Sequence, residues 1–101
     1  MKRPDAAFVA LTRVAGAVAS ATGLTVENPI LMPRRVYEIA RIATILLARW
    51  RYGLSFQFIA DGLGYATHHG VLGLYERYKD SSATDLQGAL EAATRILDDE
   101  V

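Results

Sequence analysis

The chain has 101 residues with a formal net charge of zero, and it contains no cysteine. This length supports one hydrophobic core, so we predict a single domain over residues 1–101. The composition excludes disulfides, thiol chemistry and cysteine-based zinc sites, and it fits a reducing cytoplasm. Zero net charge argues against a generic nucleic-acid binder, but basic residues dominate up to Arg51 and acidic residues dominate beyond it. A local basic patch can therefore still bind phosphates.

Residues 4–22 are predicted to form the first helix. Pro4 suits the start of a helix, and Gly23 suits the position just beyond its end. Charged residues interrupt the apolar run, which argues against a cleaved signal peptide. The apolar positions recur on one helix face, namely Phe8, Leu11, Val14, Ala15 and Val18.

Residues 24–33 are predicted to connect this helix to the next. Thr25 could cap one helical turn, and Pro33 biases the residue before it away from helix. Ile30 and Leu31 are expected to anchor the connector from beneath.

Residues 34–52 are predicted to form the longest helix. Its apolar residues extend around the cylinder, so we expect other helices to surround it. Trp50, Tyr52 and Tyr75 are expected in the core or at its edge, and Gly53 ends the helix. The apolar run over residues 42–48 is too short to span a bilayer, which needs about 20 residues. The main apolar face consists of Val36, Ile39, Ala40, Ala43, Leu46, Leu47 and Trp50, with Ile42 and Ile45 beside it.

Residues 55–79 are predicted to form a helix-turn-helix, two short helices joined by a tight turn. Ser55 is a favourable N-cap for the first helix, Gly64 breaks the helical pattern, and Thr67 is a favourable N-cap for the second. Two short amphipathic helices cannot bury their apolar faces against each other alone, so the rest of the chain should cover them. The outward stripe of the second helix is predicted to be His69, Gly70, Gly73 and Arg77, preceded by Ala66, Thr67 and His68 at its N-terminus.

A last helix is predicted over residues 83–98. Ser82 and Asp85 have the spacing of a capping box, and the acidic end of the helix is expected to fray because it opposes the helix dipole. Its apolar stripe is Leu86, Ala89, Leu90, Ala93 and Leu97. The whole pattern predicts an all-α fold of five to six helices around the long helix at 34–52.

The residue inventory does not favour catalysis. His68 and His69 are the only histidines, and neighbouring positions on a helix point about 100° apart, unlike a metal-binding i, i+4 pair. The glycines lack the spacing of a phosphate-cradling loop. We therefore predict no enzyme activity, no metal site and no cofactor.

Several residues match the pattern of a known family. They are Arg41, Ala48 and Arg49 in the long helix, then Gly53, Leu54, Ser55, Ile59, Gly64, His68 and Val71. Their order resembles the C-terminal DNA-binding domain of the bacterial replication initiator DnaA, a relative of the Trp-repressor type of helix-turn-helix. The resemblance covers residues 8–97. It implies binding of double-stranded DNA, with the N-terminal end of the second motif helix in the major groove.

The chain departs from that family where the family reads its DNA sequence. Ala66 and Thr67 stand in place of an arginine and an aspartate, and Gly70 stands in place of a threonine. The fold is therefore expected to carry over better than the sequence preference. The candidate DNA-contacting residues are Arg34, Arg35, Arg41, Ser55, Ala66, Thr67, His68, His69 and Arg77, with Lys79 as a further phosphate contact.

Two functions from different classes stay open. The first is a cytoplasmic DNA-binding protein that controls transcription or replication in a phage or phage-like element, with another protein of that machinery as a further partner and no membrane association. The second is a protein–protein interaction module that kept the fold and lost DNA readout, as zero net charge and the glycines at 70 and 73 suggest. The discriminating observation is whether one exposed face carries Arg34, Arg35, Arg41, His68 and Arg77.

Overall fold

The computed structural model describes residues 6–23 and 34–99, and within these ranges the regular secondary structure is α-helix, without strands. The helices are α1 (Ala6–Thr22), α2 (Arg34–Tyr52), α3 (Phe56–Leu63), α4 (His68–Tyr78) and α5 (Thr84–Asp99). The predicted all-α fold is confirmed, and α2 has the predicted bounds. The helical turn expected at Thr25 and the anchors expected at Ile30 and Leu31 lie outside the described residues.

Glycines in the left-handed conformation follow the first three helices. Gly23, Gly53 and Gly64 have φ values of 72°, 62° and 80°. A side chain is disfavoured in this conformation, so glycine at these positions directs the chain away from each helix. The helix ends predicted at Gly23 and Gly53 are confirmed.

The start of α5 differs from the predicted capping box. The helix begins at Thr84, and the carbonyl of Ala83 accepts a hydrogen bond from the amide of Gln87 at 3.0 Å. The hydroxyl of Ser81, one residue before Ser82, accepts from the amide of Ala83 at 3.3 Å. The cap prediction was wrong because the loop folds locally around Ser81 and shifts the first helical residue past 83.

Helix α2 is the centre of the fold. It contacts each of the other helices, and its side chains are buried all round the cylinder over residues 42–48. Even Thr44 is buried there, where its hydroxyl donates to the carbonyl of Ala40 at 2.8 Å. This local bond satisfies the hydroxyl without a partner from another helix. None of the helices in residues 6–23 and 34–99 has the length and apolar character needed to cross a membrane.

The buried side chains form two clusters that share α1 and α2. The first cluster joins these helices to α5 and includes Val14, Val18, Ala43, Leu46, Leu86, Leu90 and Ala93. The second joins them to α3 and α4 and includes Leu11, Ile45, Leu54, Ile59, Ala60 and Val71. The short helices α3 and α4 thus bury their apolar faces against the longer helices, as expected for a pair that cannot form a core alone.

Two aromatic side chains lie further out than the apolar pattern suggests. Phe8, predicted on the buried face of α1, is 59% exposed, because the buried stripe through Leu11 and Val14 continues to Ala7. Trp50 lies at the edge of the core and is 48% exposed. Its indole nitrogen donates to the hydroxyl of Tyr75 at 3.3 Å.

Candidate nucleic-acid interface

Helix α3 begins with the predicted side-chain cap. The hydroxyl of Ser55 accepts a hydrogen bond from the amide of Phe58 at 3.1 Å, and Ser55 itself is extended, with φ −67° and ψ 150°. Ile59 and Ala60 are completely buried on the inner side of the helix. Ser55 was predicted to contact DNA, and the structure places it at the exposed start of α3, with its oxygen accepting the capping bond.

Residues 64–67 form the turn between α3 and α4. The amide of Tyr65 donates to the carbonyl of Ala60, five residues earlier, at 2.9 Å. This is the hydrogen bond of a Schellman motif, in which a left-handed glycine ends the helix. Ala66 and Thr67 follow and are exposed. Thr67 stands at the N-cap of α4 as predicted, but its side chain makes no capping hydrogen bond. The first amides of α4 therefore have no side-chain cap from Thr67.

Helix α4 is held by one fully buried side chain and presents its opposite side outward. Val71 is 0% exposed. The predicted outward stripe is exposed throughout, at His69, Gly70, Gly73 and Arg77. His68 is half-buried, and its ring lies beside that of His69, with the centroids 4.2 Å apart and the planes tilted by 35°.

The two glycines of α4 have different surroundings. A Cβ atom at Gly70 would lie 3.0 Å from Cδ1 of Tyr65, whereas a Cβ atom at Gly73 would meet no atom within 4 Å. From the sequence, the two glycines could either let the helix backbone approach DNA phosphates closely or mark a face that no longer reads base sequence. Gly70 instead accommodates the ring of Tyr65 against the backbone of α4, and only Gly73 opens a gap in the surface.

Arg41 of α2 is fixed beside the turn. It is half-buried, and its guanidinium donates to the carbonyl of Leu63 at 3.3 Å. The same guanidinium carbon lies 4.5 Å from the ring centroid of Tyr65 and 5.3 Å from that of Tyr37. Stacking of a guanidinium on aromatic rings is favourable and restricts its rotation. The sequence pattern did not reveal either tyrosine as a partner of Arg41.

A cleft of about 350 Å³ between α2 and α4 brings Arg41 and Arg77 together. Its remaining lining is Glu38, Ile42, Tyr65, Leu74 and Tyr78. The guanidinium carbon of Arg77 lies 5.7 Å from the ring centroid of Tyr78. Two of the predicted arginines therefore share one surface. Arg34 and Arg35 begin α2 on the same helix, and their side chains lie outside the described part of the chain.

Other basic side chains are committed to contacts within the protein. Arg49 donates to the carbonyl of Leu54 at 3.1 Å. Arg51 pairs with Asp98 at 2.6 Å, and the hydrogen bond to that carboxylate raises the pKa of Arg51. Lys79 was predicted as a phosphate contact, but it pairs with Glu76 at 2.9 Å, and the hydrogen bond to Glu76 raises the pKa of Lys79.

Metal-binding chemistry has little support at this surface. Across residues 6–23 and 34–99, no three histidine or acidic side chains stand close enough together to hold a metal ion. The surface around α4 combines imidazoles and guanidinium groups with the carboxylates of Glu38 and Glu76. In comparisons with known proteins, no family model, curated protein or solved structure matches the chain.

Proposed function

We propose that the chain binds double-stranded DNA through α4 and acts in the control of transcription or replication. The observation that carries this proposal is the exposed stripe of α4, which adjoins a cleft lined by Arg41 of α2, Tyr65 of the preceding turn and Arg77 near the C-terminal end of the helix. A helix anchored on one side and exposed on the other can enter the major groove by its N-terminal end. The resemblance of the sequence to the DnaA C-terminal domain supports the same orientation.

The residues of the proposed DNA surface differ in the contacts that they can make with DNA. Arg41 and Arg77 supply charge for the phosphate backbone, and Arg34 and Arg35 remain further phosphate contacts expected from the sequence. His68 and His69 are the largest polar side chains at the start of α4, so they are the groups that reach base edges. Around them Ser55, Ala66 and Thr67 are small enough to let the backbone approach DNA closely.

Discrimination between DNA sequences is expected to be modest. Direct readout requires side chains that present donors or acceptors to the base edges. Ala66 offers none, and Gly70 and Gly73 have no side chain. Affinity then comes mainly from phosphate contacts, so a dissociation constant of about 1–100 µM at physiological salt is expected for an arbitrary duplex.

Fluorescence anisotropy with two labelled duplexes of unrelated sequence, titrated at several salt concentrations, tests the proposal. The logarithm of the binding constant should fall linearly with the logarithm of salt concentration, by about 0.9 per phosphate neutralised. Arg77→Ala should reduce that slope by about 0.9, because it removes one phosphate contact. Arg95→Ala is the matched control, since Arg95 is exposed on α5 away from α4.

A wild-type protein that shows no salt-sensitive binding to either duplex would rule out this function. A protein that binds both duplexes but responds equally to Arg77→Ala and Arg95→Ala would have its DNA surface elsewhere. These two results are distinguishable in the same titration series.

An interaction module for another protein is the second candidate. One observation favours it, because the half-exposed Trp50 borders a groove of about 360 Å³ between α2 and α5. Exposed tryptophan is enriched among residues that dominate protein–protein binding energies. In this case Trp50→Ala would abolish binding of the partner and leave any DNA affinity unchanged. Arg77→Ala would weaken DNA binding and leave binding of the partner protein unchanged.

A further inference from the structure

Tyr65 occupies the junction of the three elements that build the proposed DNA surface. It stands in the turn after α3, and its ring stacks on the Arg41 guanidinium of α2, 4.5 Å from the guanidinium carbon. On the α4 side, Cδ1 of the ring lies 3.0 Å from where a Cβ atom of Gly70 would be. One ring therefore touches both the arginine and the first turn of the helix.

Glycine at position 70 makes this arrangement possible. A contact of 3.0 Å is tighter than ordinary van der Waals packing, so a methyl group at Gly70 would push the ring toward Arg41. Gly73 on the same helix has open space and imposes no such restriction. Gly70 offers no side chain to DNA bases, and the same absence of a side chain leaves room for the Tyr65 ring.

Arg41 depends on this ring for part of its fixation. The carbonyl of Leu63 accepts one hydrogen bond from the guanidinium, and Tyr37 lies further away than Tyr65, at 5.3 Å. Removal of the Tyr65 ring would leave the guanidinium with a single hydrogen bond and the more distant ring. A side chain ordered before its ligand arrives loses less conformational entropy on binding.

We propose that Tyr65 is a positioning residue, which holds the Arg41 guanidinium and the first turn of α4 in their binding arrangement. This inference rests on the proposed function, in which Arg41 contacts a DNA phosphate. Tyr65 acts through Arg41 and Gly70, and its aromatic ring rather than its hydroxyl carries the role.

The first test measures the positioning without DNA. In the NMR spectrum of the free protein, the Nε–H signal of Arg41 should show the ring-current shift of a stacked guanidinium. Tyr65→Ala should reduce that shift to the contribution of the more distant Tyr37 ring, and Gly70→Ala should alter it, whereas Tyr65→Phe and Gly73→Ala should preserve it. An Arg41 signal that is the same in the wild type and in Tyr65→Ala would overturn the proposal.

The second test measures the consequence for DNA. Tyr65→Ala should weaken binding roughly tenfold, a coupling typical of residues in contact, and should reduce the salt slope by about 0.9. Tyr65→Phe should have the DNA affinity and the salt slope of the wild type. In the Arg41→Ala background, Tyr65→Ala should have little further effect, because the residue it positions is gone.

Controls separate this role from a general loss of structure. Tyr52→Ala removes an exposed tyrosine at the end of α2 and should leave affinity and salt slope unchanged. Thermal unfolding identifies the variants that remain folded at the assay temperature. If Tyr65→Ala does not remain folded, Tyr65→Phe and Gly70→Ala still test the proposal. A folded Gly70→Ala variant with unchanged affinity, or a Tyr65→Phe variant as weak as Tyr65→Ala, contradicts the proposal. Absence of DNA binding by the wild type together with a shifted Arg41 signal instead overturns the proposed function and leaves the positioning intact.

Discussion

Gly62 of α3 packs so closely on Leu11 of α1 that a methyl group at position 62 would overlap Cδ2 of the leucine. Leu11 is buried in the second cluster, so its side chain would have to shift within the core. The contact sets how closely α1 and α3 approach each other. Glycine at this position therefore serves packing between helices, although it lowers the helical propensity of α3.

We expect Gly62→Ala to destabilise the protein. Overpacking a buried contact costs roughly 1–3 kcal/mol, which exceeds the gain of up to about 1 kcal/mol in helical propensity. Gly88→Ala in α5 is the control, because open space surrounds Gly88, and it should raise the free energy of unfolding. Urea denaturation monitored by circular dichroism measures both. Equal stabilisation by the two substitutions would show that Leu11 moves aside freely.

Ser55 and Thr67 should differ in their contributions to stability. The Ser55 hydroxyl caps α3, so Ser55→Ala should lower the free energy of unfolding by about 1 kcal/mol. The Thr67 side chain makes no capping bond, so Thr67→Ala should cost clearly less. Chemical denaturation of the two variants in parallel provides the measurement. A larger cost for Thr67→Ala would mean that its hydroxyl caps α4 in solution.

The left-handed backbone at Gly64 should resist substitution. With φ at 80°, alanine at this position should cost roughly 1–2 kcal/mol, the penalty for placing a Cβ atom in the left-handed region. Asparagine tolerates this conformation better, so Gly64→Asn should recover part of the loss. The thermal midpoints of wild type, Gly64→Asn and Gly64→Ala should fall in that order. Identical midpoints for alanine and asparagine would contradict the conformational explanation.

Arg49 should stabilise the junction between α2 and α3. Its guanidinium donates to the carbonyl of Leu54 and lies 4.6 Å from the ring centroid of Phe56. These two contacts join α2 to the start of α3. Arg49→Ala should lower the free energy of unfolding by about 1.5–3 kcal/mol, the range for a hydrogen bond from a charged group. Arg95→Ala should have little effect because Arg95 is exposed. Arg49→Lys should recover little, since an ammonium cannot stack as a guanidinium does. Full stability of Arg49→Lys would refute the role of stacking.

The features that the sequence predicted well depend on local chemistry. Helix ends at Gly23 and Gly53 and the cap at Ser55 require only a few neighbouring residues, so their propensities were sufficient. The buried stripe of α5 also followed directly from apolar spacing. The bounds of α2 were predicted because the sequence has Pro33 before Arg34 and a glycine after Tyr52, with an apolar run between them.

Features that depend on tertiary contacts could not be predicted in this way. The fixation of Arg41 requires Tyr65 and the carbonyl of Leu63, which come together with it only where α2 crosses the turn. Tyr37 lies four positions earlier on the same helix, so it is the one partner that helical spacing could have indicated. The role of Gly70 likewise depends on a ring five positions earlier in the chain. Phe8 was placed on the wrong side because a face drawn through apolar residues can be off by one position when neighbouring helices cover only part of it.

The separation of the interior into two clusters has an evolutionary consequence. Most side chains that hold α1, α2 and α5 together lie in the first cluster, whereas α3 and α4 rest chiefly on the second. Substitutions at the exposed positions of α4, such as His69, Gly73 and Arg77, can therefore accumulate while the three-helix support retains its packing. A scaffold of this kind permits its binding specificity to diverge, or even to disappear, without loss of the native fold.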